Sequence, residues 1–517
     1  MDICSGSQKD GLNTLHHSLA EAVVGLDEEK IITLLRTATK EDVNSCQVSC
    51  PVGDTKGTLL MWAVRHGLLE SAKALLRKGA DPNLNCEDDG WTPLHEACNA
   101  KNADLAEELL KHKASRQQED QVGRTALHIA VLNSSPCKKL VEVLCGSENG
   151  EIEKTSVNLS NTQDKNHPSL LHMAAKDGHK EVAEILIGAG ALIDSKDKSG
   201  ATPLHHAAYE GHEEMVECLH EHGCNINAIQ PISYKFNEKD DFWNLGNNMY
   251  MLRNGDEDFG RKGEIGNTPL HTAAKAGHLK VVEKLLEFGA EVAITGKDMY
   301  RPLHEAVKRG DAQMVELILQ HSSAHSPAFK HAAGRERRCQ VISPITLAVK
   351  AGFAEAVRLI LSDAGNELDA HHREHLYWES NQGEWEWDYR PLLHIATSMG
   401  STDIMEQLLK IANDTDGVGD ANDTDDQGNT ALYHAVLANN GSAVSCLLDY
   451  KRLDNHGSRE VNVNCTNAEG YTPMHVAQTL EMMETLHKKG ANPNARSENA
   501  PEVFKSTGVI PLMPIPE

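Results

Sequence analysis

Residues 168–228 read PSLLHMAAKDGHKEVAEILIGAGALIDSKDKSG and then ATPLHHAAYEGHEEMVECLHEHGCNINA. The two segments match almost position for position, and Ser169 to Thr202 is a step of 33 residues. Self-similarity at such a period marks stacked supersecondary units. Within 201–211, Thr202 stands where a helix needs an N-cap oxygen. Pro203 follows at the first helical position, where a missing N–H costs nothing and the fixed φ helps. Leu204, Ala207 and Ala208 then share one face, the alanines small enough for a neighbouring helix to approach closely. Gly211 stops the helix. A second helix follows, with Met215, Val216, Cys218 and Leu219 inward and Gly223 closing it. One such pair cannot bury its apolar face alone, so neighbours must stack and share a core.

The opening recurs along the chain at Thr58 (TLLMWAVRHG), Thr92 (TPLHEAC), Thr125 (TALHIAV), Thr268 (TPLHTAAKAGH) and Arg301 (RPLHEAVKRGD). Weaker copies open at Ser343, Pro391, Thr430 and Thr472. On these residues, from about 58 to 495, the chain resembles the ankyrin-repeat family. The resemblance implies an all-α ankyrin-repeat solenoid of helix–turn–helix plus hairpin-loop units. About twelve repeats are expected, counting a degenerate N-terminal cap, HSLAEAVVGLDEEKIITLLR. The expected division is a leader and capping repeat at 1–57, repeats at 58–228, an insertion at 229–266, repeats with extended loops at 267–495, and a Pro-containing tail at 496–517.

From Thr58 to Thr472 the steps are 34, 33, 44, 33, 66, 33, 42, 48, 39 and 42 residues. The paired helices keep their length, so the surplus falls after the second helix. In the family that segment is a finger on the binding side. Loop closure costs only about 0.6 kcal/mol per doubling of length, so such insertions barely weaken a stack. Residues 229–266 show no Thr-Pro, no small-residue helix face and no Leu-Leu pair, which favours an elongated finger over a decayed repeat. A second insertion occupies 366–389.

A net charge of −26 argues against sequence-independent binding to nucleic acid or anionic membrane, because both need dense Lys and Arg. A protein partner, with a basic surface as the better match, is expected instead. Twelve scattered cysteines suit a reducing compartment. Residues 1–20 lack a secretory design, and no run of about 18 apolar residues occurs. The expectation is a cytoplasmic protein, or one exported into a host cytosol, with the nucleus left open.

Eleven of the 22 aromatic residues fall in the two insertions. They include Phe242, Trp243 and Tyr250 in the first, and Trp378, Trp385, Trp387 and Tyr389 in the second. Trp and Tyr dominate binding hot spots, so these are candidate partner contacts, the other reading being that they pin long loops to the stack. Trp91, Tyr300 and Tyr471 precede the motif by one residue, a position that often faces ligand in ankyrin proteins. His95, His128, His172, His205, His271, His304, His394 and His475 fill the fourth motif position. In the family this histidine ties adjoining repeats by hydrogen bonds.

Cys218, His220, His222 and Cys224 could hold a metal, but a structural zinc site wants paired ligands from separate segments, and Cys218 reads as a packed residue of the second helix. His371, His372 and His375 could likewise chelate, but read as a plain polar loop. Residues 413–426 hold six aspartates without the EF-hand order, and read as a solvated acidic finger. The basic spot at 335–338 reads as a solvated loop. There is no HExxH, GxxxxGK[ST], GxSxG or kinase motif set. The expected function is a non-catalytic scaffold or adaptor that binds protein through its fingers and concave face, without cofactor or metal. The alternatives are a passive structural spacer, a host-directed effector, and a ubiquitin-ligase substrate adaptor, whose recruiting box is not evident after residue 495.

Overall fold

The computed structural model describes residues 12–45, 47–49, 56–86, 89–133, 135–146, 169–231, 266–296, 300–321, 343–364, 373–379, 385–414, 421–454, 457–493 and 495. Two compact units divide the chain, Met1–Ser233 with Glu287–Gly289, and Tyr234–Leu286 with Ala290–Glu517.

The first unit opens with a helix pair, Leu12–Val24 and Glu28–Leu35, followed by a short helix, Lys40–Ser45. Asp27 caps the second of these through its bond from the Lys30 N–H. Five further pairs follow. Their first helices are Leu59–Arg65, Pro93–Asn99, Ala126–Leu132, Leu170–Asp177 and Pro203–Glu210. Their second helices are Leu69–Arg77, Ala103–Lys111, Lys138–Cys145, Lys180–Gly188 and Glu213–Glu221. First helices pack on first helices and second on second. The 44-residue step does not break this order, because Ala126–Leu132 still packs on Leu170–Asp177.

The second unit repeats the plan. First helices are Pro269–Ala276, Pro302–Arg309, Pro344–Lys350, Leu392–Met399 and Ala431–Leu437, with a 3-10 turn, Pro473–Val476, in the last position. Second helices are Leu279–Glu287, Ala312–Gln320, Ala354–Ala364, Thr402–Asp414, Gly441–Asp449 and Leu480–Lys488. Together with the cap, twelve helix pairs are present among the described residues. The chain is all-α in its repeating architecture, as the spacing predicts.

Local chemistry accounts for each element. In the reference repeat, Leu204, Ala207, Ala208, Met215, Val216, Cys218 and Leu219 are all buried. Gly211 ends the helix at φ 85°, left-handed backbone that a β-carbon would strain.

Beyond the helices, three antiparallel ladders lie within the units. One pairs Gln47–Ser49 with Lys56–Thr58, and another pairs Lys451–Asp454 with Gly457–Glu460. The third and longest pairs Arg373–Glu379 with Trp385–Pro391, in the register Tyr377 opposite Trp387. Sequence alone reads 366–389 as a loop; it is in part a β-hairpin that runs directly into the helix Leu392–Met399. Among the described residues no helix is long and apolar enough to cross a membrane.

Candidate functional site: the helix-one face and its fingers

The histidine motif closes the start of the first helix in most of the described repeats. Thr92 caps Pro93–Asn99, its hydroxyl accepting from the His95 N–H at 3.4 Å. The Thr92 N–H donates back to His95 Nδ1 at 3.2 Å, and Thr92 Oγ1 lies 2.8 Å from the same nitrogen. This is a capping box in which a histidine takes the place usually held by Glu or Gln. Because Nδ1 accepts a backbone N–H, the ring proton sits on Nε2 and donates to the Arg124 carbonyl, 3.0 Å away in the next repeat. Burial, partly opposed by that carbonyl, holds His95 below the usual imidazole range.

The same geometry recurs. His172 Nε2 meets the Ala201 carbonyl at 3.1 Å, His271 that of Tyr300 at 3.0 Å, and His394 that of Asn429 at 2.9 Å. His128, His205, His304 and His475 accept the N–H of Thr125, Thr202, Arg301 and Thr472 on Nδ1 at 3.0–3.2 Å. With both ring nitrogens occupied by the backbone, His95, His172 and His271 have no lone pair to offer a metal or a substrate.

The finger-base aromatics rest on these rings. Trp91 stacks on His95 with centroids 6.3 Å apart, Tyr300 on His304 at 5.0 Å, and Tyr471 meets His475 edge-on at 5.8 Å. All three are half-buried, so one side of each ring is spent on the motif. Tyr300 also carries the Lys308 ammonium, with Nζ 4.4 Å from the ring centroid.

The aromatic candidates in the insertions divide. Phe242, Trp243 and Tyr250 lie outside the described residues. Trp378, Trp385, Trp387 and Tyr389 are brought together on the hairpin. Its register pairs Tyr377 with Trp387, His375 with Tyr389, Glu379 with Trp385 and Trp378 with Glu386. In this register Tyr377, Trp385, Trp387 and Tyr389 occupy positions of one parity and Trp378 a position of the other.

Two Asp–His pairs escape a reading by motif. His206 Nε2 lies 2.8 Å from Asp197, and His434 Nε2 lies 2.7 Å from Asp425. Each resembles the orienting half of a hydrolytic triad, yet each carboxylate is committed to its own turn. Asp197 accepts from the backbone N–H groups of Ser199 and Ala201 and from the Ser199 hydroxyl. Burial pushes Asp425 up, but bonds from His434 and Asn429 outweigh it and hold the carboxyl at about 2. Also missed were Leu132 and Tyr209, 42% and 58% exposed in the last turn of their first helices, where other repeats place Lys or Arg. Their signal in the sequence is that departure from the lysine pattern.

The Cys218 candidates are turned to other partners. His222 Nδ1 lies 2.8 Å from the Cys218 carbonyl and 3.9 Å from its sulfur. Among the described residues no group of three or more His, Cys, Asp or Glu could hold a metal. His371, His372, the centre of the acidic finger and residues 335–338 lie outside the described residues. On the outer side of the second unit, a groove of about 950 Å³ runs between Thr402–Asp414, Gly441–Asp449 and Leu480–Lys488. It exists because Gly441, Ser442, Ser445 and Cys446 are short where neighbouring second helices carry long charged side chains.

Comparison with known proteins gives the same picture. The family model for ankyrin repeats (3 copies) matches residues 60–158, 152–230, 247–328 and 393–497. ZDHHC13 of Danio rerio is 32% identical over 145 residues, covering 28% of this chain and 20% of that protein. Inversin of Canis lupus familiaris is 35% identical over 130 residues, covering 25% of this chain and 11% of that protein. The match thus spans a fifth or less of these relatives. The crystal structure of the ankyrin repeat domain of Bcl-3 aligns with 51% of this chain and 98% of its own, at 24% identity and a TM-score of 0.38. With the family matched over more than half of its length, and helix pairs whose caps are closed by histidine in seven of the described repeats, the chain belongs to the ankyrin-repeat family.

Proposed function

Ankyrin repeats generally mediate protein–protein interaction, and we propose that this chain is a non-catalytic scaffold that takes a protein partner on its fingers and helix-one face. The observation that carries the reading is the hairpin Arg373–Pro391. In a chain with 22 aromatic residues among 517, it gathers Tyr377, Trp385, Trp387 and Tyr389 at register positions of one parity. Large rigid aromatics bury much area at little entropic cost, which is why they anchor interfaces. The paired strands carry Glu374, Glu379, Glu386 and Asp388, so a basic partner segment suits them. The chemistry of the described residues supports the absence of catalysis, since each Asp–His pair closes a turn and the motif histidines are held by backbone groups.

The test is capture from lysate by the full chain and by Trp385→Ala/Trp387→Ala, followed by quantitative mass spectrometry. A protein retained by the parent and lost by the variant, with thermal unfolding unchanged, supports the scaffold. A large fall in stability with capture intact makes the hairpin a structural brace. No specific capture by either favours a passive spacer.

A further inference from the structure

Charge is not spread evenly over the layers of the second unit. Its first helices, from Pro269–Ala276 to the turn Pro473–Val476, hold four cations, Lys275, Lys308, Arg309 and Lys350, against one carboxylate, Glu305. All four lie in the first three repeats. In the first unit, the five first helices after the cap hold Arg65 and Lys176 against Glu96, Asp177 and Glu210. On a chain of net charge −26, the row in the second unit stands out against its surroundings.

The row is also ordered. Lys275, Lys308 and Lys350 are each the seventh residue after an N-cap, Thr268, Arg301 and Ser343, so they occupy one position in successive repeats. Lys275 and Lys308 are exposed and Lys350 is half-exposed. Two contacts fix the heads of Lys308 and Arg309 in place. Tyr300, seated on His304, holds the Lys308 ammonium over its ring, and the Arg309 guanidinium donates to the Lys275 carbonyl at 3.3 Å. Gly277, at φ 88°, leaves room for that guanidinium, which a β-carbon there would strike. Cations already held in position lose less freedom when a ligand arrives.

We infer that this face of residues 268–350 binds an extended acidic peptide segment of a partner protein, with Lys275, Lys308 and Lys350 as successive carboxylate contacts and Tyr300 and Arg309 setting the lane between them. Stacked helices lie roughly 10 Å apart, and an extended chain rises about 3.3 Å per residue. The ligand is therefore a segment with Asp or Glu at every third position. Nucleic acid fits less well, because its phosphates would meet the field of the whole acidic chain on either side of a short row. The surface differs from the aromatic set of the hairpin and has the opposite sign, so each can fail alone.

The experiment uses the full chain and fluorescence anisotropy at about 50 mM salt, where screening is moderate. The probes are a labelled twelve-residue peptide with Glu at every third position and Gly or Ser between, the same composition with the Glu residues contiguous, and a twelve-nucleotide single-stranded RNA. Saturable binding of the spaced peptide in the micromolar range is expected. It should weaken at least about tenfold in Lys275→Glu/Lys308→Glu/Lys350→Glu and stay unchanged in Lys410→Glu, with helical circular dichroism kept in both. The Trp385→Ala/Trp387→Ala chain should bind the peptide as the parent does, which separates this result from that of the hairpin. Absence of saturable binding, equal affinity in the triple variant, no preference for the spaced peptide, or RNA binding as tight as the peptide overturns the inference.

Discussion

Replacing His95 by alanine isolates the contribution of one motif histidine. The ring is fully buried, and it receives the Thr92 N–H and donates to the Arg124 carbonyl. The two losses are unequal. The Arg124 carbonyl keeps a second bond from the Asp120 N–H at 2.9 Å, whereas the Thr92 N–H, on a residue 1% exposed, loses its acceptor. An orphaned buried donor costs about 1–3 kcal/mol, and the stacked contact with Trp91 adds about 0.5–1.5 kcal/mol. The expected loss is about 1.5–4.5 kcal/mol, the range that follows from those two terms. A chain of many repeats does not unfold in one step, so the readout is amide hydrogen exchange at Thr92 and along the 120–124 turn. Exchange there should accelerate by roughly tenfold or more, at about 1.4 kcal/mol per tenfold. His95→Gln should recover much of the loss, because a Gln at this position can accept the N-cap N–H. Acceleration below about threefold in the alanine variant, or a glutamine variant no better than alanine, would refute the reasoning.

Further outcomes follow from the same geometry. Burial depresses His95 and His172 relative to the unfolded chain, which therefore binds more protons just below the usual imidazole value of about 6.5. Stability should be flat above that pH and fall as pH drops through the folded values. A second loss should come in the carboxylate range as Asp197 and then Asp425, held at about 2, protonate. Urea titrations between pH 4 and pH 8 check the first of these; stability that rises on acidification would contradict it. Gly277→Ala should destabilise by about 1 kcal/mol or more, since it combines a left-handed backbone with a clash against Arg309, and faster amide hydrogen exchange in the helices on either side of it reads this. Burial pushes Cys145 to about 11 and Cys224 to about 12, and raises Cys98 further. These thiols should resist iodoacetamide at pH 8 until denaturant is added, as peptide mass spectrometry would show.

Much of the repeat was legible because its signals are local. Thr202-Pro203 and Gly211 start and stop a helix through their own backbone chemistry, and Leu204, Ala207 and Ala208 reach one face through helical period alone. The hairpin at 373–391 was less legible. Its strands carry Glu, Asp and His among the aromatics, and strand preference depends on what packs against the ladder.

The amino-acid sequence by itself determined the helix pairs, their caps and their number. Each of these is encoded within a dozen contiguous residues. Only the tertiary structure decided the tautomer of the motif histidines, because the acceptor of His95 lies 29 residues on in the next repeat. It also decided that Lys275, Lys308 and Lys350 form one row. They stand 33 and 42 residues apart, yet the helices that carry them pack one on the next.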